Sequence, residues 1–345
     1  MDYRNMCIDG TVSVRDAMKR INESGCKILF ITENEIVIAA LTDGDIRRFL
    51  LNGGKLEDDS ACAGNHQLKI ANNVEEAKTL YDVKNCIAIP IVNAEKKLID
   101  IYCGEAKQQP QKPVLDIPVV INAGGKGTRL DPFTRVLPKP LIPVGEMPII
   151  EHIMQQYQQY GCDEYHVIVN YKKQLIKAFF SEGEKDYQIF WYDEEKPLGT
   201  GGGLTLLKGK IHQTFFFTNC DIILQSDYDS MLKFHRDNKN LITMVCAYKN
   251  LTIPYGVVEI GDKGAILEMK EKPELSFLTN TGMYIVEPEV LDEMEDGVAI
   301  GFPDVIEKLR LEGKNVAVYP VSENEWMDMG QLDELEKMRK KLYGE

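Results

Sequence analysis

At 345 residues the chain exceeds one typical domain, and its 44% hydrophobic and 27% charged residues are ordinary globular values, so two domains are expected. A net charge of -14 excludes the broad basic face that a nucleic acid or an anionic membrane would require. Any bound anion must therefore be held by a local cationic site. Eight cysteines, at 7, 26, 62, 86, 103, 162, 220 and 246, form no C-x-x-C pair and no His/Cys metal spacing. They read as reduced, mostly buried, small hydrophobes of a cytosolic protein. No apolar run nears the ~20 residues of a membrane span, and the N-terminus lacks a signal-peptide core, so a cytoplasmic location is expected.

In chain order, Val14–Glu23 is expected to be a helix with Val14, Ala17, Met18 and Ile21 on one face, ended by Gly25. Lys27–Thr32 and Ile36–Leu41 read as strands, and Thr42 opens the next helix. The order recurs more faintly as a helix over Val74–Tyr81 and strands over Ile87–Val92 and Lys97–Tyr102. Two half-size units, each too small to bury a core alone, are expected to pair.

The first unit carries Leu41-Thr42-Asp43-Gly44-Asp45-Ile46-Arg47-Arg48 and resembles a CBS domain. The second unit resembles that family only in element order, reading Tyr102-Cys103-Gly104-Glu105 where the signature would fall. The resemblance implies a small α+β tandem CBS module over residues 1–108, of a kind that binds adenosine nucleotides and associates into homo-oligomers. Thr42 and Asp45 would then approach the ribose. The plainer reading is that Thr42 and Asp45 only cap and neutralise a helix start, and the lost signature in the second unit favours it. Glu105–Pro113 is polar, contains proline and has no periodicity, so residues 109–116 are assigned as a linker.

From Pro118 strands and helices alternate, the mark of an α/β domain with a mostly parallel sheet, here residues 117–345. The apolar run Val119-Val120-Ile121 reads as a buried strand running into Ala123-Gly124-Gly125-Lys126-Gly127-Thr128-Arg129. Glycines there let backbone N–H groups approach an anion, and Lys126, Arg129 and the proline-framed Lys139 add positive charge. The loop is neither a P-loop, since Lys126 precedes glycine, nor a dinucleotide fingerprint, since Leu130 stands where the third glycine belongs. A helix from Pro148 should bury Ile149, Ile150, Ile153, Met154 and Tyr157 and stop at Gly161. Tyr165–Asn170, Ile189–Tyr192 and Thr214–Asn219 read as further strands, Lys173–Phe180 and Gln331–Leu342 as helices. Asp221 follows the apolar strand at its C-terminal end, where open α/β sheets gather ligands.

The run Gly124–Leu130, Pro132–Thr134, Pro138–Val144 and Pro148–Ile149 resembles, element for element, the signature of the sugar-1-phosphate nucleotidyltransferases. The resemblance extends to about Gly344. It implies a Rossmann-like, mostly parallel mixed sheet of the GT-A-like kind. It also implies that Ala123, Gly124, Gly125, Gly127, Thr128 and Arg129, with Gly199 and Thr200 of a second glycine loop, bind the nucleotide. Tyr255, Gly256, Glu271, Lys272, Asn280 and Thr281 would bind the sugar phosphate, although a bare Lys-Glu-Lys-Pro run otherwise reads as a solvated turn. Asp221 and Asp328 would hold Mg²⁺. Two departures are local: Gly201 where the family has alanine, and Cys220 where it has glycine.

The reaction implied joins an NTP to a sugar 1-phosphate, giving an NDP-sugar and pyrophosphate. The attacking phosphate monoester has a second pKa near ~6, so it needs no strong base. Arg129, Lys139 and Lys272 are the expected catalytic cations, and positioning and charge neutralisation carry the rate. The pattern looks nearest to guanylyltransferases of bacterial surface-sugar pathways, with uridylyl or thymidylyl transfer left open. A glycosyltransferase would want Asp-x-Asp, which Asn219-Cys220-Asp221 matches poorly. A catalytically dead, CBS-gated sensor is disfavoured by the intact charged residues.

Overall fold

A computed structural model describes residues 3–24, 27–84, 86–104, 112–182 and 185–344. It divides into two compact units, Met1–Pro110 and Gln111–Glu345. The expected helix stop at Gly25, Glu105, and residues 105–111, which include the first three positions of the expected linker, lie outside the described residues.

In the first unit, β1 (Cys7–Asp9), α1 (Val14–Ser24), β2 (Ile28–Glu33), β3 (Ile36–Thr42), α2 (Asp43–Leu51) and the single turn α3 (Ser60–Ala63) form the first half. The second half is α4 (Val74–Lys84), β4 (Ile89–Val92) and β5 (Leu98–Tyr102). Strands β1-β2-β3 make one sheet and β4-β5 another. The two halves share a core. Met6, Ile28, Phe30 and Val37 of the first pack with Ala88 and Ile101 of the second, as expected of two undersized units. The predicted strand start at Ile87 is two residues early, because Ile87 is exposed and β4 begins at Ile89.

Thr42 caps α2 with a reciprocal box. Its hydroxyl accepts from the Asp45 N–H at 3.3 Å, and the Asp45 carboxylate accepts from the Thr42 N–H at 2.9 Å. The remaining Asp45 oxygen pairs with Arg48. Both residues singled out as ribose contacts are thus engaged within their own helix start.

The second unit begins with β6 (Val119–Ala123) and the short α5 (Phe133–Val136). A small hairpin of β7 (Pro143–Val144) and β8 (Met147–Pro148) leads into α6 (Ile149–Gln158). Then follow β9 (Glu164–Val169), α7 (Lys173–Ser181), β10 (Gln188–Asp193), β11 (Phe215–Asn219), β12 (Ile222–Leu224) and α8 (Tyr228–Asp237). The long β13 (Ile242–Thr252) and β16 (Glu274–Val286) flank an outlying ribbon of β14 (Val257–Ile260) and β15 (Ile266–Lys270). The chain closes with α9 (Glu289–Asp292), α10 (Phe302–Leu311), β17 (Val316–Val321), β18 (Trp326–Asp328) and α11 (Leu332–Tyr343).

Seven strands form the main sheet in the order β10-β9-β6-β11-β16-β13-β17. Only β16 runs against its neighbours. Val119 and Ile121 of β6 with Phe216 of β11 enter a core on one face; Val120 with Phe215 and Phe217 enter a core on the other. A strand buried on both faces has no polar alternation, which is why these segments read as unbroken apolar runs. Helix α6 buries Ile149, Ile150, Ile153, Met154 and Tyr157, the face expected of it, and Gly161 follows at φ 68°.

The expectation of mostly buried cysteines needs correction. Cys162, Cys220 and Cys246 are buried, Cys7 and Cys86 are half-buried, and Cys62 and Cys103 are exposed. Helix α3 turns Ser60 and Ala63 inward and Cys62 outward. Cys103 lies just past the end of β5, its sulfur 3.9 Å from that of Met6.

Candidate active site

A cleft of about 280 Å³ opens at the C-terminal ends of β6 and β11. The β6 end contributes Asn122, Gly125, Gly127, Thr128 and Arg129, and the proline-framed loop contributes Lys139. Thr200 comes from the second glycine loop, Asn219, Cys220 and Asp221 from the end of β11, and Gly330 from behind Asp328. Parallel strands end here side by side, so their loops converge while side chains within the sheet fill the cores.

Gly127 is needed for its conformation as well as its size. It sits at φ 65°, and a Cβ there would lie 2.9 Å from Thr134 and 3.1 Å from Lys139. A side chain would push Lys139 away from the cleft. Gly199, at φ 78°, runs against the Ile300 carbonyl, where a Cβ would come within 2.6 Å. The Asn122 amide joins the two loops: its N–H donates to the Thr200 carbonyl at 3.3 Å, and its oxygen accepts from the Gly124 N–H at 3.4 Å.

Asp221 and Asp328 stand on adjacent backbones. Ile222 is the register partner of Asp328, and the Met329 N–H donates to the Asp221 carbonyl at 2.8 Å. Burial pushes the Asp328 carboxyl above the usual carboxylate range, and the negative charge of Asp221 pushes it further; Lys139 and Arg129 pull the other way. Two carboxylates on adjacent backbones, one of them raised by the charge of the other, suit a shared cation, and an all-oxygen donor pair suits Mg²⁺. No cluster of three or more metal-ligating side chains occurs among the described residues. Further ligands would have to be phosphate oxygens and water, the usual case for Mg²⁺. Lys139 pairs with Asp221, and both side chains are largely buried, at 11% and 13% exposure. The Cys220 thiol is pushed up to about 12 by burial and by Asp221, so it is neutral at pH 7 and no nucleophile.

The expected residues divide into two groups. Gly125, Gly127, Thr128, Arg129, Lys139, Thr200 and Asp221 line the cleft. Ala123 is buried at the end of β6, Gly124 and Gly199 shape the two loops, and Asp328 is coupled to the site through charge. The other group does not line the cleft. Tyr255 is 73% exposed. Gly256 and Glu271 adjoin each other, since a Cβ on Gly256 would lie 3.0 Å from the Glu271 carboxylate. Lys272 occupies an exposed turn after β15 at φ 45°. Thr281 is buried and donates to the Val245 carbonyl at 2.8 Å, and the Asn280 amide donates to the Tyr284 hydroxyl at 2.7 Å. Strand β16 reaches the cleft at Gly282, where a Cβ would lie 2.5 Å from the Asn219 amide.

Asn122, Asn219 and Gly330 were not singled out by sequence, although an asparagine ending each of two otherwise apolar strands is a usable signal. Glu194 was missed as well. It is 4% exposed, and its Oε1 has no hydrogen-bond partner. Its two oxygens sit 2.7 Å from where side chains on Gly124 and Gly203 would begin, so the carboxylate lies between the two glycine loops. Burial raises its carboxyl above the ordinary range, opposed by a bond from the Leu198 N–H.

Residues 118–344 match the family model described as nucleotidyl transferase. The chain belongs to the nucleotidyl transferase family. A UTP–glucose-1-phosphate uridylyltransferase of Synechocystis is 32% identical over 234 residues, 62% of this chain and 60% of that protein. A mannose-1-phosphate guanylyltransferase of Mycobacterium tuberculosis is 30% identical over 220 residues, 62% of this chain and 61% of that protein. The chain thus spans about three-fifths of the length of these relatives. Among solved structures, HddC from Yersinia pseudotuberculosis superposes with a TM-score of 0.52 at 21% identity, covering 65% of this chain and 99% of HddC. A likeness at that identity speaks for the fold alone. The nucleotidyl transferase match begins after the first unit, and no helix is long and apolar enough to cross a membrane among the described residues.

Proposed function

We propose that this nucleotidyl transferase moves a guanylyl group from GTP to a hexose or hexosamine 1-phosphate, releasing pyrophosphate, to make a precursor for surface polysaccharide or glycoconjugate. A monoester oxygen of the sugar phosphate forms a bond to the α-phosphorus as the bridging α–β P–O bond breaks. The electron pair leaves with pyrophosphate, and no proton needs to move. Arg129 and the N–H groups of the Gly125–Thr128 loop hold the triphosphate and steady the leaving charge. Lys139 neutralises the reacting phosphates, and Lys272 reaches the sugar phosphate when the turn after β15 folds over it. Asp221 and Asp328 would hold Mg²⁺, which would supply positive charge to the phosphates.

Glu194 is the observation that favours guanine. Its carboxylate offers only acceptors, and one oxygen is buried without a partner. Guanine presents two adjacent donors, N1–H and the N2 amino group, which match a carboxylate edge to edge. Uracil and thymine present one donor between acceptors, which would set a carbonyl against the carboxylate.

A pyrophosphate-release screen of four NTPs against a panel of sugar 1-phosphates tests the reading. Release is expected with GTP and a hexose or hexosamine 1-phosphate. Release only with UTP or dTTP overturns the choice of base, and none with any pair overturns the enzyme.

We further infer that residues 1–108 are a CBS-type module that regulates or assembles a cytoplasmic homo-oligomer, supported by two halves sharing one core. An adenine nucleotide bound there should raise the melting temperature of the full chain with ligand concentration, by about 2–3 kcal/mol of stabilisation at a hundredfold excess over its Kd. Titration with AMP and ATP in an Arg129→Met background, monitored by thermal denaturation, checks this. No shift with either leaves the module a structural one.

A further inference from the structure

The cation nearest the reacting phosphates and the carboxylate proposed to hold Mg²⁺ are bonded to each other. Lys139 and Asp221 lie 82 positions apart in sequence, on the proline-framed loop and at the end of β11, yet they meet as a largely buried ion pair. Water screens such a pair poorly. Around it opposite charges meet: at Asp328 the charge of Asp221 is opposed by those of Lys139 and Arg129. The site is therefore self-neutralised before any ligand arrives. An ammonium on Asp221 takes up one of the oxygens that a cation needs. It also holds a positive charge within a few ångström of the cation position. Reciprocally, Asp221 withholds Lys139 from a phosphate.

We propose that Lys139 is the built-in counter-ion of the metal position, so that a divalent cation and an anionic phosphate enter the site as a coupled pair. The phosphate gives Lys139 a new partner; Asp221, released, turns to the cation. A cation alone meets an occupied carboxylate and a repelling charge, and a phosphate alone meets an occupied lysine. The inference rests on the proposed reaction for the identity of the anion, but the competition between Lys139 and the cation does not depend on it.

Mn²⁺ is the probe, and its binding to the full chain by calorimetry or by the free-ion paramagnetic signal is the readout. In the wild type, Mn²⁺ alone should bind weakly and tighten when GTP is present. Lys139→Met should bind Mn²⁺ alone about tenfold or more tighter than wild type, because a like charge has been removed beside the site. Lys139→Arg, which keeps the charge, should stay at the wild-type value, and Asp221→Asn combined with Lys139→Met should abolish the gain. Circular dichroism of each variant reports whether it folds, and the arginine variant keeps the test open if the methionine variant does not. Equal Mn²⁺ affinity in wild type and Lys139→Met overturns the proposal, as does an arginine variant that behaves like methionine. Absence of any GTP effect with the Mn²⁺ response to Lys139→Met intact overturns the proposed reaction and leaves the counter-ion role standing.

Discussion

Asp221→Asn is expected to fold as the parent does and to release pyrophosphate at least ~100-fold more slowly at saturating substrates. Asparagine fills the same space at the end of β11, and its amide oxygen can still accept from Lys139. What disappears is a negative charge on a backbone that abuts Asp328 through the Met329 N–H bond of 2.8 Å. Asp328 then loses the neighbour that raises its proton affinity and remains as a carboxylate that feels the Lys139 charge. The reaction loses more. In the proposed reaction two anions meet at the α-phosphorus, and with one carboxylate left a cation would be weakly held. One lost electrostatic contact of this kind corresponds to about 3 kcal/mol in the transition state, which is where the factor of ~100 comes from. Initial rates of pyrophosphate release, set beside melting curves of the two proteins, check both halves of the expectation. A rate near that of the parent would remove Asp221 from the metal position.

The cleft-lining half of the candidate site was legible because its residues are local in sequence. Gly125, Gly127, Thr128, Arg129 and Lys139 fall within fifteen positions, and a strand end, a glycine loop and a proline frame bring them together without help from distant chain. Asp221 was found by a second local rule, a carboxylate just past an apolar strand. The sugar-side residues obey no such rule. Tyr255, Glu271 and Lys272 belong to an outlying ribbon whose position over the sheet depends on tertiary packing, and their sequence is equally that of a solvated turn. Thr281 and Asn280 point to a different limit. A strand residue faces one side or the other, and here the two polar groups are spent on the Val245 carbonyl and the Tyr284 hydroxyl. The same holds for Thr42 and Asp45, whose polar atoms close a capping box. Sequence displays a hydroxyl or carboxylate but not the partner it has already taken.

Glu194 inverts that lesson, since its charge next to Glu195 and Lys196 reads as surface while the fold buries it. Glu194→Gln is expected to lower kcat/KM for GTP about 100-fold and to narrow or reverse the preference over UTP. Glutamine keeps the shape but turns one acceptor into a donor. One guanine N–H then faces an N–H, and the loss of a two-bonded pair with a polar group left unmatched is worth roughly 2–4 kcal/mol. Uracil, with a donor beside an acceptor, gains a partner from the same change. The substitution should also stabilise the unliganded protein. Burial raises the Glu194 carboxyl in the folded state. The folded chain therefore holds a proton that the unfolded chain has released, and stability falls as pH rises from the ordinary carboxylate range through the folded pKa. Glutamine does not titrate, so its gain in melting temperature should be greatest at neutral pH and fade as pH drops toward the ordinary carboxylate range. Competition assays with GTP and UTP give the selectivity, and melting curves across pH give the stability. An unchanged GTP:UTP ratio would take base recognition away from Glu194. A melting temperature that does not rise at neutral pH would mean the buried oxygen is paired in solution.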